Sequence, residues 1–174
     1  MKKITFITAL IILVIAFTAC NTSDDSSDSA DFNVQIFRAN MLEHTSPDGT
    51  VLTSRFILER CYEGWYPNAY YPEENIDHYA VLFRESIEKY TDEFFTENFL
   101  VVIEVSESSG SIRHEVERVD ENDIVINRLL PGQDIPMTDE MGEWLIVIEL
   151  SRNFIVPELK SEPWNIIFQD KIIS

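Results

Sequence analysis

Two side chains in this sequence are of the types that nucleophilic catalysis uses. Cys61 is the only cysteine besides Cys20, and His114 is one of three histidines. A thiol beside an imidazole forms a nucleophile and its base, the arrangement of a hydrolase or a protease-linked accessory. Cys61, however, follows an apolar run, and free cysteine is among the most buried residue types. A buried, inert thiol is therefore the favoured interpretation.

A second group of residues has the chemistry of recognition. Residues 62–72 contain five aromatic rings and two prolines, and Trp65, Tyr66, Tyr70 and Tyr71 are among the rings. Proline disrupts regular structure, and Tyr and Trp supply rigid, amphipathic contact area, so this predicted loop could bind a peptide or a sugar. The slightly favoured alternative is a lid whose rings fold back onto the core.

The sequence predicts no metal, cofactor or catalytic residue. Asp134, Asp139, Glu140 and Glu143 could bind calcium, but their spacing matches no known calcium loop, so a solvated acidic loop is favoured. The three histidines fall in different predicted elements, which gives no metal-ligand spacing. There is no phosphate loop, nucleophile elbow or zinc motif.

The N-terminus has the order of a secretory signal peptide. Lys2 and Lys3 precede the apolar run 4–17, and small residues stand immediately before Cys20. The run is shorter than the roughly 20 apolar residues of a membrane-spanning helix. Residues 1–19 are therefore predicted to be removed.

The cleavage site itself resembles a lipobox. Its sequence is Phe17-Thr18-Ala19-Cys20, and in bacterial lipoproteins the cysteine thiol of this motif receives a diacylglyceryl group. Two acyl chains hold a protein on a membrane almost permanently. The resemblance implies lipidation at Cys20 and a location on the extracytoplasmic face of the cell membrane, with a plain secretory signal as the alternative.

Residues 20–31 are predicted to be a lipidated cysteine followed by a disordered tether. The segment after Cys20 consists almost entirely of Ser, Asp, Asn and Thr. It would reach about 35 Å when fully extended and about 20 Å as a flexible coil. The domain would therefore stay close to the membrane.

The strongly negative net charge of the chain limits the kinds of molecule that the protein is expected to bind. The full chain carries a net charge of −18, and removal of Lys2 and Lys3 with the signal makes the mature chain more negative. Nucleic acid would be repelled by such a field. The expected partners are the membrane, through the lipid, and a protein or peptide.

The hydropathy pattern predicts a single β-rich domain over residues 32–174. Runs 34–42 and 51–61 read as a hairpin around Pro-Asp-Gly, and 79–83 reads as a further strand before a short helix that begins near Ser86. Runs at 99–107, 112–120, 123–130, 144–151 and 164–173 follow. The first and fourth of these five are apolar on both faces, as a strand covered on two sides would be. The predicted fold is mainly β, an antiparallel sandwich or partly open barrel with one short helix.

Arg113 and His114 are candidate binding residues whose roles depend on the register of a predicted hairpin. An even turn at residues 109–110 places Glu104 opposite Glu115, a like-charge pair that Arg113 would offset on the outer face. His114 then lies on the core side as a hydrogen-bonded histidine at the core edge. These structural roles are favoured over ligand binding and catalysis.

Three segments carry a resemblance to known proteins. Residues 90–102, residues 109–114 (Ser-Gly-Ser-Ile-Arg-His) and residues 143–150 are similar to uncharacterised lipoproteins of clostridia and related Gram-positive bacteria. More distantly, residues 79–152 resemble the C-terminal domain of the protease-complex subunit PrcB, whose Gly-Gly-Tyr signature is absent here. The resemblance implies a surface lipoprotein that acts as a protein- or ligand-binding module, with a protease-linked role as the alternative.

Overall fold

A computed structural model describes residues 30–39, 49–66, 78–132, 135–155 and 163–173. Seven strands and three helices occur in these ranges. In chain order they are β1 (Phe32–Ala39), β2 (Thr50–Leu52), α1 (Arg55–Trp65), α2 (His78–Ile87), α3 (Phe94–Glu97), β3 (Asn98–Glu107), β4 (Arg113–Val119), β5 (Asp123–Pro131), β6 (Gly142–Ser151) and β7 (Asn165–Ile173).

The strands form two sheets that pack face to face. The larger sheet has the order β1-β6-β3-β2, and every pairing in it is antiparallel. The smaller sheet has the order β4-β5-β7, with β4 antiparallel and β7 parallel to β5. The predicted mainly β sandwich is confirmed.

The larger sheet is covered on both of its faces. Val101 and Ile103 point toward the smaller sheet, where they pack with Ile124 and Ile126. Leu100 and its neighbours of the same parity point the other way, into a cluster built with the helices. The prediction that β3 and β6 are apolar on two sides is confirmed, and the domain has three layers: helices, four strands and three strands.

Residues 51–61 were predicted to be a strand, and most of them belong to helix α1 instead. Leu58, Tyr62 and Trp65 recur at the helical spacing and are all buried. Ser54 caps the helix, since its hydroxyl accepts a hydrogen bond from the Ile57 amide at 3.3 Å. A short apolar run does not by itself distinguish a strand from a helix, and here the cap and the spacing favour the helix.

Residues 79–83 were also predicted to be a strand, and they lie inside α2. Ala80, Phe83 and Ile87 have helical spacing and are buried against the larger sheet. The single short helix predicted after Ser86 is absent, because Ser86 lies within α2, where its hydroxyl donates to the Leu82 carbonyl oxygen.

Both predicted hairpins are wrong, because in neither case do the two predicted strands pair with each other. β1 pairs with β6 and β2 pairs with β3. β3 and β4 lie in different sheets, so Glu104 is opposite Leu145, and Glu115 is opposite Asn127. The chain between β3 and β4 crosses from one sheet to the other instead of turning back beside β3.

The sandwich has two ends, which are defined by the direction of β3. The base contains Asn98, Ser151 and the β4–β5 connection, and the tip contains Glu107 and Gly142. Ala30, the first described residue, is at the base, where its amide donates to the Val119 carbonyl oxygen at 3.0 Å. The chain therefore enters the domain at the end opposite the tip.

Candidate functional site

Two of the candidate aromatic residues lie in the core. Trp65 is 6% exposed and Tyr66 is 2% exposed. The Trp65 indole N–H donates to Glu104 Oε1 at 2.7 Å, and the Tyr66 hydroxyl donates to the Arg38 carbonyl oxygen at 3.2 Å. Both rings pack into the core, as the lid interpretation expects, but residues 62–65 belong to helix α1 and not to the predicted loop. Tyr70 and Tyr71 lie outside the described residues.

Cys61 and His114 do not form a catalytic pair. Cys61 is in α1 and packs with the cluster on the helical face of the larger sheet. His114 contacts Trp144, whose ring belongs to the cluster on the opposite face. Burial, together with the negative charge of Glu104, raises the pKa of the Cys61 thiol, which disfavours the thiolate. His114 is therefore not the base of this thiol, and the surroundings of the thiol are not those of a nucleophile.

His114 instead belongs to a buried polar network at the tip. Its Nε2 lies 2.9 Å from Glu107 Oε1. Arg128 donates to both oxygens of the same carboxylate, from Nε to Oε1 at 2.8 Å and from Nη2 to Oε2 at 2.7 Å. Arg128 Nη1 also donates to Asp170 Oδ1 at 2.7 Å. The predicted hydrogen-bonded histidine at the core edge is confirmed.

The strand register explains how this network forms. His114 and Arg128 are directly opposite each other on β4 and β5, and Asp170 is opposite Arg128 on β7. Glu107 comes from the last position of β3 in the other sheet. One carboxylate therefore ties the two sheets together at the tip.

Burial controls the protonation of this network. Burial alone raises the pKa of Glu107, but the hydrogen bonds from Arg128 and His114 outweigh it and hold that pKa below its usual range. Burial, together with the positive charge of Arg128, lowers the pKa of His114 below its usual value, although Glu107 acts to raise it. His114 is therefore neutral near pH 7, and its Nε2–H donates to the Glu107 carboxylate.

Two buried nitrogen atoms of the tip have no hydrogen-bond partner among the described residues. They are His114 Nδ1, which carries a lone pair in this tautomer, and the indole Nε1–H of Trp144. The two rings pack edge to face with their centroids 6.0 Å apart. Because the imidazole is buried, proton transfer to a molecule in solution is not available to it, and its role is to hold the sheets.

Two guanidinium groups lie over the Trp144 ring. The Arg113 guanidinium is 5.0 Å from the ring centroid and that of Arg38 is 5.9 Å from it. Both distances are in the range of cation–π attraction. Arg113 is exposed and forms no ion pair within the described ranges. Its predicted role of relieving repulsion between Glu104 and Glu115 is wrong, because those residues are in different sheets.

The loop before β6 is fixed to the turn after β3. The Ser109 hydroxyl donates to the Thr138 carbonyl oxygen at 2.8 Å, and the Gly110 amide donates to the Glu140 carbonyl oxygen at 2.7 Å. The Thr138 amide donates to the Ser111 hydroxyl at 3.0 Å. These bonds join residues 108–113 and 135–142 into one surface, termed the tip surface.

The tip surface exposes large apolar side chains. Ile135, Met137 and Met141 are all exposed, and Arg113 lies on the same surface. Exposed apolar groups beside an arginine are typical of protein interfaces, where Met and Arg are enriched. The sequence identified Arg113 as a candidate but not these apolar residues, because the segment that contains them was predicted to be a solvated acidic loop.

Glu107 and Arg128 were also missed, although the sequence contained a signal for Glu107. This residue continues the alternating series Val101, Ile103, Val105 on the inner face of β3, and a charge in such a position must find a partner. Arg128 could be identified only from the pairing of β4 with β5.

Neither a metal centre nor a membrane span is found in the part of the chain that is described. No three His, Cys, Asp or Glu side chains there are placed to hold a metal ion. No helix there has the length and hydrophobicity that crossing a bilayer requires.

Comparison with known protein families, curated proteins and solved structures finds no match for this chain. The resemblance to clostridial lipoproteins and to the PrcB domain stays a prediction from the sequence. The function is therefore argued from the geometry of the site.

Proposed function

We propose that this chain is a lipoprotein, anchored through Cys20 on the extracytoplasmic face of the membrane, whose domain binds a protein partner through the tip surface. The observation that carries the proposal is that Ile135, Met137 and Met141 are exposed on a segment that is hydrogen-bonded to the turn preceding the exposed Arg113. Burial of such side chains against a partner would remove apolar area from water and so favour binding.

The tip surface is suited to binding because it is held in one shape. Hydrogen bonds at Ser109, Gly110 and Ser111 connect its two segments, and the network of Glu107, His114 and Arg128 fixes the strands below it. A surface that is already ordered loses little conformational entropy when it binds. The apolar side chains are thus presented on a rigid support.

The topology also orients this surface. The chain enters the domain at the base through Ala30, and the tip lies at the far end of β3, a strand of 10 residues. At about 3.3 Å per residue, the tip is roughly 30 Å from the base. A lipid at Cys20 would connect to the domain at its base, so the tip surface is the end farther from the point of attachment.

A capture experiment with matched variants tests the binding site. Met141 and Phe56 are both 66% exposed, but Phe56 is on α1, which begins near the base. We expect Met141→Asp to abolish recovery of a defined envelope protein, and Phe56→Asp to leave it intact. Equal recovery with both variants would refute the tip surface as the contact.

A fractionation experiment tests the anchor. We expect Cys20→Ala to move the protein from the membrane to the soluble fraction, because the tether contains no large apolar residue to hold it. Full membrane retention of this variant after cleavage of the signal would require another anchor and would refute the lipid.

A further inference from the structure

A polar groove lies on the outer face of the smaller sheet, away from the tip surface. Its volume is about 500 Å³, and it crosses all three strands. Six of its lining residues carry polar or charged side chains: Glu115, Glu117, Asn127, Gln169, Asp170 and Lys171. The volume is in the range of small-molecule sites, which are about 300–1,000 Å³.

The middle of the groove is a row of three hydrogen-bonding side chains, one from each strand. Glu115 is directly opposite Asn127, and Asn127 is directly opposite Gln169. Asn127 is only 6% exposed, and its amide forms no hydrogen bond to a described residue, yet its amide atoms are not among the fully enclosed polar atoms. An amide that is held in a sheet and still open to the groove is available to a group that enters it.

The charge of the groove selects a cation. Glu115 and Glu117 supply two carboxylates against the single ammonium of Lys171, which lies 3.4 Å from Glu115. The Asp170 side chain is on the opposite face, where it pairs with Arg128, whereas Glu117 forms no ion pair within the described ranges. The net charge of −18 adds a field that attracts cations to the whole molecule.

The lining also disfavours a neutral sugar. No aromatic side chain is among the residues that line the groove, so a sugar ring would have no surface on which to stack. Amide and carboxylate oxygens instead accept hydrogen bonds from N–H donors.

We propose that this groove binds an organic cation with several N–H donors, namely a primary amine or a guanidinium group. The Asn127 amide oxygen and the Glu117 carboxylate accept its hydrogen bonds. The cation is either a free polyamine or the side chain of a basic peptide, since both present the same group to the groove.

Titration of the full chain, observed by NMR of side-chain amides, tests the proposal. The probes are spermidine, a lysyl-lysine peptide with blocked termini, and tetramethylammonium, which has charge but no N–H. We expect spermidine or the peptide to shift the Asn127 and Gln169 signals with a dissociation constant of about 0.1–1 mM, and tetramethylammonium to bind at least about tenfold more weakly. The probe that binds more tightly identifies the source of the cation.

Two variants with the same loss of charge make the test specific. Glu117→Gln should weaken binding about three- to tenfold, whereas Glu88→Gln, an exposed carboxylate just beyond α2 on the helical side, should leave it unchanged. Equal effects of the two variants, equal binding of tetramethylammonium, or no shift at Asn127 would each overturn the proposal. Binding at the tip surface is measured by protein capture and binding in the groove by NMR titration. Either proposal can therefore be refuted without the other.

Discussion

Glu107 is the buried centre of the network that joins the sheets at the tip. Its carboxylate accepts two hydrogen bonds from Arg128 and one from His114. Glu107→Ala removes all three and leaves the Nε2–H of His114 buried without an acceptor. Arg128 retains Asp170 at 2.7 Å and is partly exposed, so water and Asp170 recover some of its loss.

The size of the effect follows from these contacts. Deleting one partner of a buried ion pair costs about 3–5 kcal/mol, of which an unsatisfied buried donor contributes about 1–3 kcal/mol. Because Arg128 keeps a second carboxylate and reaches solvent, the lower part of that range applies. We expect the free energy of unfolding to fall by about 3–4 kcal/mol, a large share of the 5–15 kcal/mol of a typical domain.

Urea unfolding followed by tryptophan fluorescence measures this loss. The matched control is Glu140→Ala, which deletes the same group from a side chain that is 83% exposed and 3.7 Å from Arg38. Exposed pairs contribute about 0–1 kcal/mol, so the control should unfold close to the wild type. A loss of 1 kcal/mol or less for Glu107→Ala, equal to the control within error, would refute the structural role of the network.

Two further predictions concern pH and packing. Burial lowers the pKa of His114 below 6.5 in the native chain. As the pH falls below about 6.5, the unfolded chain therefore binds a proton that the native chain does not. The free energy of unfolding then falls by at most about 1.4 kcal/mol per pH unit. His114→Gln should reduce this slope in urea unfolding between pH 7.5 and 5.5, and an unchanged slope would exclude His114 as its source. Gly142→Ala should cost about 1–3 kcal/mol, since its Cβ would lie 2.9 Å from Gly110 Cα. Gly64→Ala, in α1 with no atom near its Cβ, should stabilise by about 0.5–1 kcal/mol in the same assay, and equal effects of the two would contradict the packing.

The sequence predicted the strands of the sandwich well where their pattern was strong. β3 and β6 have apolar residues on both faces, and only a strand covered on two sides explains that composition. The regions of α1 and α2 were misread because a short apolar run fits a strand and a buried helix equally. The Ser54 cap and the burial of Leu58, Tyr62 and Trp65 on one face separate these alternatives.

The pairing of strands that are distant in sequence could not be predicted, and this limited the prediction of the site. β1 pairs with β6 across more than half of the chain, and nothing local to β1 specifies that partner. His114 was correctly predicted to face the core because alternation along β4 determines its face. Its partners Glu107 and Arg128 come from two other strands, so they became visible only when the sheets were assembled.

Photo-crosslinking in intact cells tests binding through the tip surface most directly. A benzophenone amino acid would replace Met137 in one strain and Phe56 in another, since both side chains are exposed. We expect position 137 to yield an adduct with one discrete protein and position 56 to yield none. Adducts from position 56 alone, or adducts with lipid alone from position 137, would contradict partner binding through the tip surface.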